Sequence, residues 1–116
     1  MIKPGHLEFF VENPLHAKQF YAEALGCTVT TVQEEQFVWL QLGAQEILLR
    51  PGPRQAPPQD YDHSRIGMVL YTDDLPQAVA HLEKHGVTFC AMPDGCYTFA
   101  DSDGNWFQLV DPSSHA

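Results

Sequence analysis

The apolar residues Leu7, Phe9, Phe10 and Val11, set between polar ones in HLEFFVE, 6–12, make that segment a strand candidate. Asn13-Pro14 follows, an N-cap residue and a first helical residue. Ala17, Phe20, Tyr21, Ala24 and Leu25 then recur at three- and four-residue spacing and stop at Gly26, which predicts an amphipathic helix between the two signals. Three more strands are expected at 27–33, 36–42 (QFVWLQL) and 45–50 (QEILLR). The stretch PGPRQAPPQDYDHS, 51–64, holds four of the nine prolines and no period, so it reads as a linker.

The pattern then restarts. RIGMVLYT, 65–72, predicts a strand; Asp73 or Asp74 caps a helix with apolar positions Leu75, Val79, Ala80 and Leu82, and Gly86 ends it. Strands at 87–92, 96–101 and 105–110 complete the half. The last is entered through a polar turn, Asp101, Asp103, Gly104 and Asn105, before Trp106, Phe107, Leu109 and Val110. A shift of 60 lays Asn13 on Asp73, Leu15 on Leu75, Gly26 on Gly86 and Leu49 on Leu109. The expected fold is therefore α+β, with two tandem β-α-β-β-β modules, 1–50 and 65–116, forming curved sheets around a central cleft in one domain. A module alone leaves a sheet face and a helix stripe uncovered. The two must pack together within the chain or by exchange, and a homodimer is expected.

Composition narrows the partners. At 116 residues and 44% hydrophobic, the chain can build a core without staples. Fifteen acidic against six basic side chains give a net charge of −9, which repels nucleic acid and anionic membranes and favours cationic ligands. There is no run of 18 apolar residues and no secretory leader pattern, so a cytoplasmic location is expected. Cys27, Cys90 and Cys96 lie in hydrophobic stretches without C-x-x-C spacing and read as reduced, buried thiols. No P-loop, G-x-S-x-G or G-x-G-x-x-G occurs.

The doubled chain, with HLEFFVENPLHAKQFYAEALG at its start and DSDGNWFQLVDP at its end, resembles the vicinal oxygen chelate superfamily. That group includes glyoxalase I, extradiol dioxygenases, and fosfomycin- and bleomycin-resistance proteins. The resemblance spans nearly the whole chain and implies the fold; it leaves the activity open, because isomerases, dioxygenases, transferases and drug-sequestering proteins share the scaffold. Metal-dependent members place up to four His and Glu ligands on the inner strands. The matching positions here hold His6, then Leu48, then Gly67 (or Ile66 by the plain shift of 60), and finally Gln108. One imidazole and one amide are too few and too weak for a divalent ion, so neither metal nor cofactor is expected. A slipped register would bring His63 inward and restore a His6, His63, Gln108 set. A Cys96 nucleophile with His6 as base would require their proximity. His16, His81 and His85 read as exposed helix positions, and His115 belongs to the tail.

Strand alternation, anchored on the positions carried by the resemblance, assigns a concave face to His6, Glu8 and Phe10, to Phe37, Trp39 and Gln41, and to Glu46, Leu48 and Arg50. The second module contributes Arg65, Gly67, Val69, Tyr71, Cys96, Thr98, Trp106 and Gln108. Such a set, aromatic with a few polar groups and two carboxylates, suits an organic ligand. The aromatics suit a core or dimer interface equally well, and Glu8, Glu46, Arg50 and Arg65 can pair among themselves. The expectation is a bleomycin-resistance-like protein that captures a small organic molecule in an aromatic cleft without metal, cationic ligands being favoured. The alternatives are a metal-dependent lyase, isomerase or dioxygenase using His6, and a dimerising domain with no ligand.

Overall fold

Asn13 sits in extended backbone and its side chain accepts the His16 amide, so helix α1 (Pro14–Glu23) starts directly after strand β1 (Leu7–Val11). At the other end Gly26 adopts φ +79° and the Cys27 amide returns to the Tyr21 carbonyl at 2.9 Å, which stops the helix. Three strands follow: β2 (Thr28–Gln33), β3 (Phe37–Leu42) and β4 (Gln45–Pro51). They form a sheet of order β1-β4-β3-β2, in which only the β1–β4 pair is parallel. In this computed structural model, residues 1–91 and 96–115 are described, and the chain divides into two compact units, Met1–Gln55 and Ala56–Ala116.

Alternation decides the core of the first unit. Val11, Val38, Leu40, Ile47 and Leu49 are fully buried, as is Tyr21 of α1, which stacks on Phe9 at 6.0 Å. The next residues along β1 and β3 face the other way, which leaves that side of the sheet open.

The second unit repeats the plan. Strand β5 (Met68–Tyr71) leads to helix α2 (Leu75–Lys84), capped by Asp74, whose side chain accepts the Gln77 amide; β6 (Cys90–Ala91), β7 (Tyr97–Ala100) and β8 (Trp106–Val110) complete a sheet of order β5-β8-β7-β6. A short 3-10 turn, Pro112–His115, follows. Phe99 stacks on Phe107 at 5.3 Å and Phe89 meets Phe99 edge-on at 5.5 Å, so aromatics fill buried strand positions where the first sheet buries Val38, Leu40, Ile47 and Leu49. The α+β class and the doubled β-α-β-β-β order are as expected.

Three details differ from the sequence reading. The strand expected at 65–72 begins only at Met68, because the Ser64 hydroxyl donates to the Ile66 carbonyl at 2.7 Å and the ring of Tyr61 lies against Gly67. Of the strand expected at 87–92, Cys90–Ala91 pair, and residue 92 lies outside the described residues. Ala80 of α2 is exposed, and Ala78 is the half-buried alanine. The repeat is also not a plain shift of 60. Asp74, not Asp73, is the cap, so Asn13 and its counterpart are 61 apart, and the pairs Glu8↔Leu48 and Val69↔Gln108 show the same offset at the first strand. By Gly26 and Gly86 the offset is 60, since α2 is one residue closer to its terminating glycine. Gly67, rather than Ile66, is therefore the counterpart of His6. No helix among the described residues is long and apolar enough to cross a membrane.

Candidate functional site

The open face of the first sheet gathers the residues that alternation assigned to it. The registers set them in rows: Phe10 faces Arg50, and Glu8 faces Leu48, which in turn faces Trp39; Glu46 faces Gln41. The neighbouring register of β3 and β4, Val38↔Leu49, puts Phe37 beside Arg50.

A polar network ties the rows. Arg50 Nη1 donates to Glu8 Oε1 at 2.9 Å, and Glu8 Oε2 lies 2.8 Å from His6 Nε2. The bond to His6, then that to Arg50, holds the Glu8 carboxyl below its ordinary value. The His6 ring meets Trp39 edge-on at 4.7 Å, and Trp39 Nε1 donates to Gln33 Oε1 at 2.9 Å. The Arg50 guanidinium lies 5.3 Å from the Phe10 centroid and 5.9 Å from that of Phe37. Phe10 is 52% exposed, and Phe37 and Trp39 are half-buried.

Two expectations are corrected here. Leu48 is buried under its neighbours and forms the floor of the face, not its surface. Of the four charges thought to pair, only Glu8 and Arg50 do; Glu46 is exposed, and neither it nor Arg65 makes an ion pair among the described residues. Arg65 precedes β5 and lies on no strand.

In the second unit the corresponding face is partly taken by the chain's own linker. Trp106 is only 9% exposed, and its Nε1 donates to the Pro58 carbonyl at 2.9 Å. A Cβ at Gly67 would fall 2.6 Å from Tyr61 Oη, so the ring occupies the space that a ligating side chain at this position would need. Pro57 packs equally close on Gly104. Thr98 is buried, its hydroxyl donating to the Cys90 carbonyl at 3.0 Å, and Gln108 is half-buried between Val69 and Thr98 in register. Tyr71, at the end of β5, is 74% exposed. Gly67, Thr98 and Trp106 thus do not present the open surface that alternation alone suggested. A glycine inside a predicted strand, six residues after a tyrosine in a linker, was the available signal for this close approach.

His63 stays in the linker, where Asp60 Oδ1 sits 2.6 Å from its Nδ1; it belongs to no strand. His16, His81 and His85 are exposed as expected. Asp101 is the turn former it was read to be, its carboxylate accepting from the amides of Asp103 and Asn105. Cys27 and Cys96 are buried, and burial pushes the Cys27 thiol up to about 11; Cys90 is exposed, against expectation.

Solved structures of the same fold place these faces in context. The fosfomycin resistance protein FosX from Mesorhizobium loti is 17% identical, with 94% of this chain and 91% of that chain covered at a TM-score of 0.75. TnmS3, an antibiotic binding protein from Streptomyces sp. CB03234, is 22% identical, with 96% and 98% covered at 0.69. Lactoylglutathione lyase from Agrobacterium tumefaciens is 18% identical, with 94% of each chain covered at 0.64. No curated protein matches the sequence. Residues 3–109 match the description of one family over almost the whole chain, and the protein belongs to the Glyoxalase/Bleomycin resistance protein/Dioxygenase superfamily.

Proposed function

We propose that this chain is a small-molecule binding protein that holds an organic ligand on the aromatic face of its first sheet, without a metal, and works as a cytoplasmic homodimer. The observation that carries the reading is the composition of that face. Phe10, Phe37 and Trp39 line it, and one of them is half in solvent. A body laid across such rings gains roughly 25 cal/mol per Å² of apolar surface covered. The superfamily's metal-binding members imply a divalent ion, and the residues here do not fit one. His6 is engaged by Glu8, and the other inherited positions hold an alkyl chain at Leu48, no side chain at Gly67 and a neutral amide at Gln108. The Streptomyces antibiotic binding protein of this fold makes a drug-like aromatic molecule the class to try first.

The preference for a cation loses its first support, because Glu8 is neutralised inside the protein by Arg50. It would rest on Glu46 and on the overall charge.

Two tryptophans give two indole N–H resonances, assigned with Trp106→Phe. Aromatic ligands should shift the Trp39 resonance saturably, and elemental analysis of the dialysed protein should find less than about 0.1 metal per chain for a site with no adequate ligand set. A metal-to-chain ratio near one that disappears in His6→Ala would replace this reading with a metal-dependent enzyme.

A further inference from the structure

Arg50 projects from β4 into the middle of the proposed face, between Phe10 of β1 and Phe37 of β3. Its planar fork carries five N–H donors. Glu8 takes one, through Nη1, while Nε is shielded from solvent and has no acceptor among the described residues. A ligand arriving from solvent is therefore left the N–H groups of Nη1 and Nη2. Nη1 keeps a second N–H and Nη2 has two, and a carboxylate matches such a pair of neighbouring donors with two parallel bonds. The same placement works against a cation. The positions over Phe10 and Phe37 where an external cation would stack already hold a guanidinium, and the adjacent carboxylate is spent on it. The net charge of −9 does not reverse this, since charges farther than roughly 8 Å are screened at physiological salt.

We infer that Arg50 is the specificity-determining residue of this face, and that it selects aromatic ligands bearing a carboxylate over neutral or cationic ones of the same shape. The inference rests on the binding-face reading above and adds the ligand's polar group. A carboxylate takes the N–H groups of Nη1 and Nη2 that Glu8 leaves over while its ring covers Phe10 or Phe37, with Glu8 holding the fork in plane and competing for it.

Three probes of one shape test it: 2-naphthoate, 2-naphthylmethanol and 2-naphthylmethylammonium, each titrated against the Trp39 indole resonance. The carboxylate should bind about tenfold or more tighter than the alcohol, and the ammonium no tighter than the alcohol. Arg50→Gln should bring the carboxylate-to-alcohol ratio to about one, and Arg50→Lys, which keeps the charge and loses the fork, should leave it in between. Glu8→Gln removes the internal competitor and should tighten the carboxylate, the opposite of what a cation site would do; it also decides the matter if Arg50→Gln does not fold. Equal binding of all three probes, tightest binding of the ammonium, or weaker carboxylate binding in Glu8→Gln overturns the role of Arg50 while leaving the binding face standing. If no probe moves the Trp39 resonance at millimolar concentration, the binding face itself is refuted and this inference with it.

Discussion

Replacing Asp101 by alanine tests whether the turn that positions β8 is held by one buried carboxylate. Asp101 is 8% exposed, and its oxygens accept from Asp103 N at 3.0 Å, Asn105 N at 2.9 Å and Asn105 Nδ2 at 2.9 Å. Each bond to a charged acceptor contributes about 1.5–3 kcal/mol. The full sum is not expected, because Asp103, Gly104 and Asn105 are only half-buried and water reaches the orphaned donors. Taking about 1 kcal/mol for each of the three contacts gives a loss of about 3 kcal/mol, roughly a quarter of the stability of a domain this size. In denaturant this lowers the midpoint at unchanged slope, and it lowers Tm by about 10 °C. Asp101→Asn keeps an oxygen for the two backbone amides and should lose only about 1 kcal/mol. Hydrogen exchange should accelerate at the amides of Asp103 and Asn105 before the rest of the sheet. The reasoning fails if Asp101→Ala lies within about 0.5 kcal/mol of the parent protein, or if Asn proves worse than Ala.

Thiol titration at pH 8 should find one fast site per chain, lost in Cys90→Ser, because Cys90 alone is exposed and the Cys27 thiol, at about 11, stays protonated; a second fast thiol would contradict the packing. The depressed Glu8 carboxyl links the open face to acid: its bonds to His6 and Arg50 are fully present above its ordinary value of 4.5 and are lost as pH falls through its lower value in the folded protein. The side-chain carboxyl carbon of Glu8, followed by NMR, should therefore titrate with a midpoint below 4.5, and a Glu8→Gln protein should lack that step. Sedimentation at micromolar concentration should give a dimer, since Phe10, Val69 and Tyr71 are exposed apolar groups on strands; a monomer at every concentration refutes that part of the proposal.

The strands and helices of the first unit were legible because each carries its own punctuation: Asn13-Pro14 at the helix start, Gly26 at its end, and alternation from 37 to 42 that sends Val38 and Leu40 inward and Trp39 outward. The open face of that unit followed from the same alternation once the resemblance had anchored its parity. What alternation cannot report is which face another segment covers. Trp106 and Gly67 have the right parity, yet Pro58 and Tyr61 reach them from a linker with no period, through contacts 48 residues apart in one case. Which basic residue pairs with Glu8 was similarly hidden, because Arg50 is 42 residues away and becomes a neighbour only through the parallel β1–β4 register. The offset of the repeat also needed coordinates, since adjacent aspartates compete for one cap and only backbone geometry chooses Asp74.

The β2–β3 hairpin closes through Glu34, Glu35 and Gln36; the first two are left-handed at φ 52° and 55°, and the Gln36 amide returns to the Gln33 carbonyl at 3.1 Å. A β-turn whose two central residues share this hand favours Asn-Gly there, and a glutamate in that conformation costs about 1 kcal/mol or more. The loop therefore contains a reserve of stability that lies outside the aromatic face. Converting Glu34-Glu35 to Asn-Gly would recover on the order of 1–2 kcal/mol without touching Phe10, Trp39 or Arg50. That reserve matches the loss of one ordinary core or network substitution. It gives the protein latitude to be re-engineered: side chains on the sheet could be exchanged to change what it holds, with the turn supplying the tolerance that such exchanges consume.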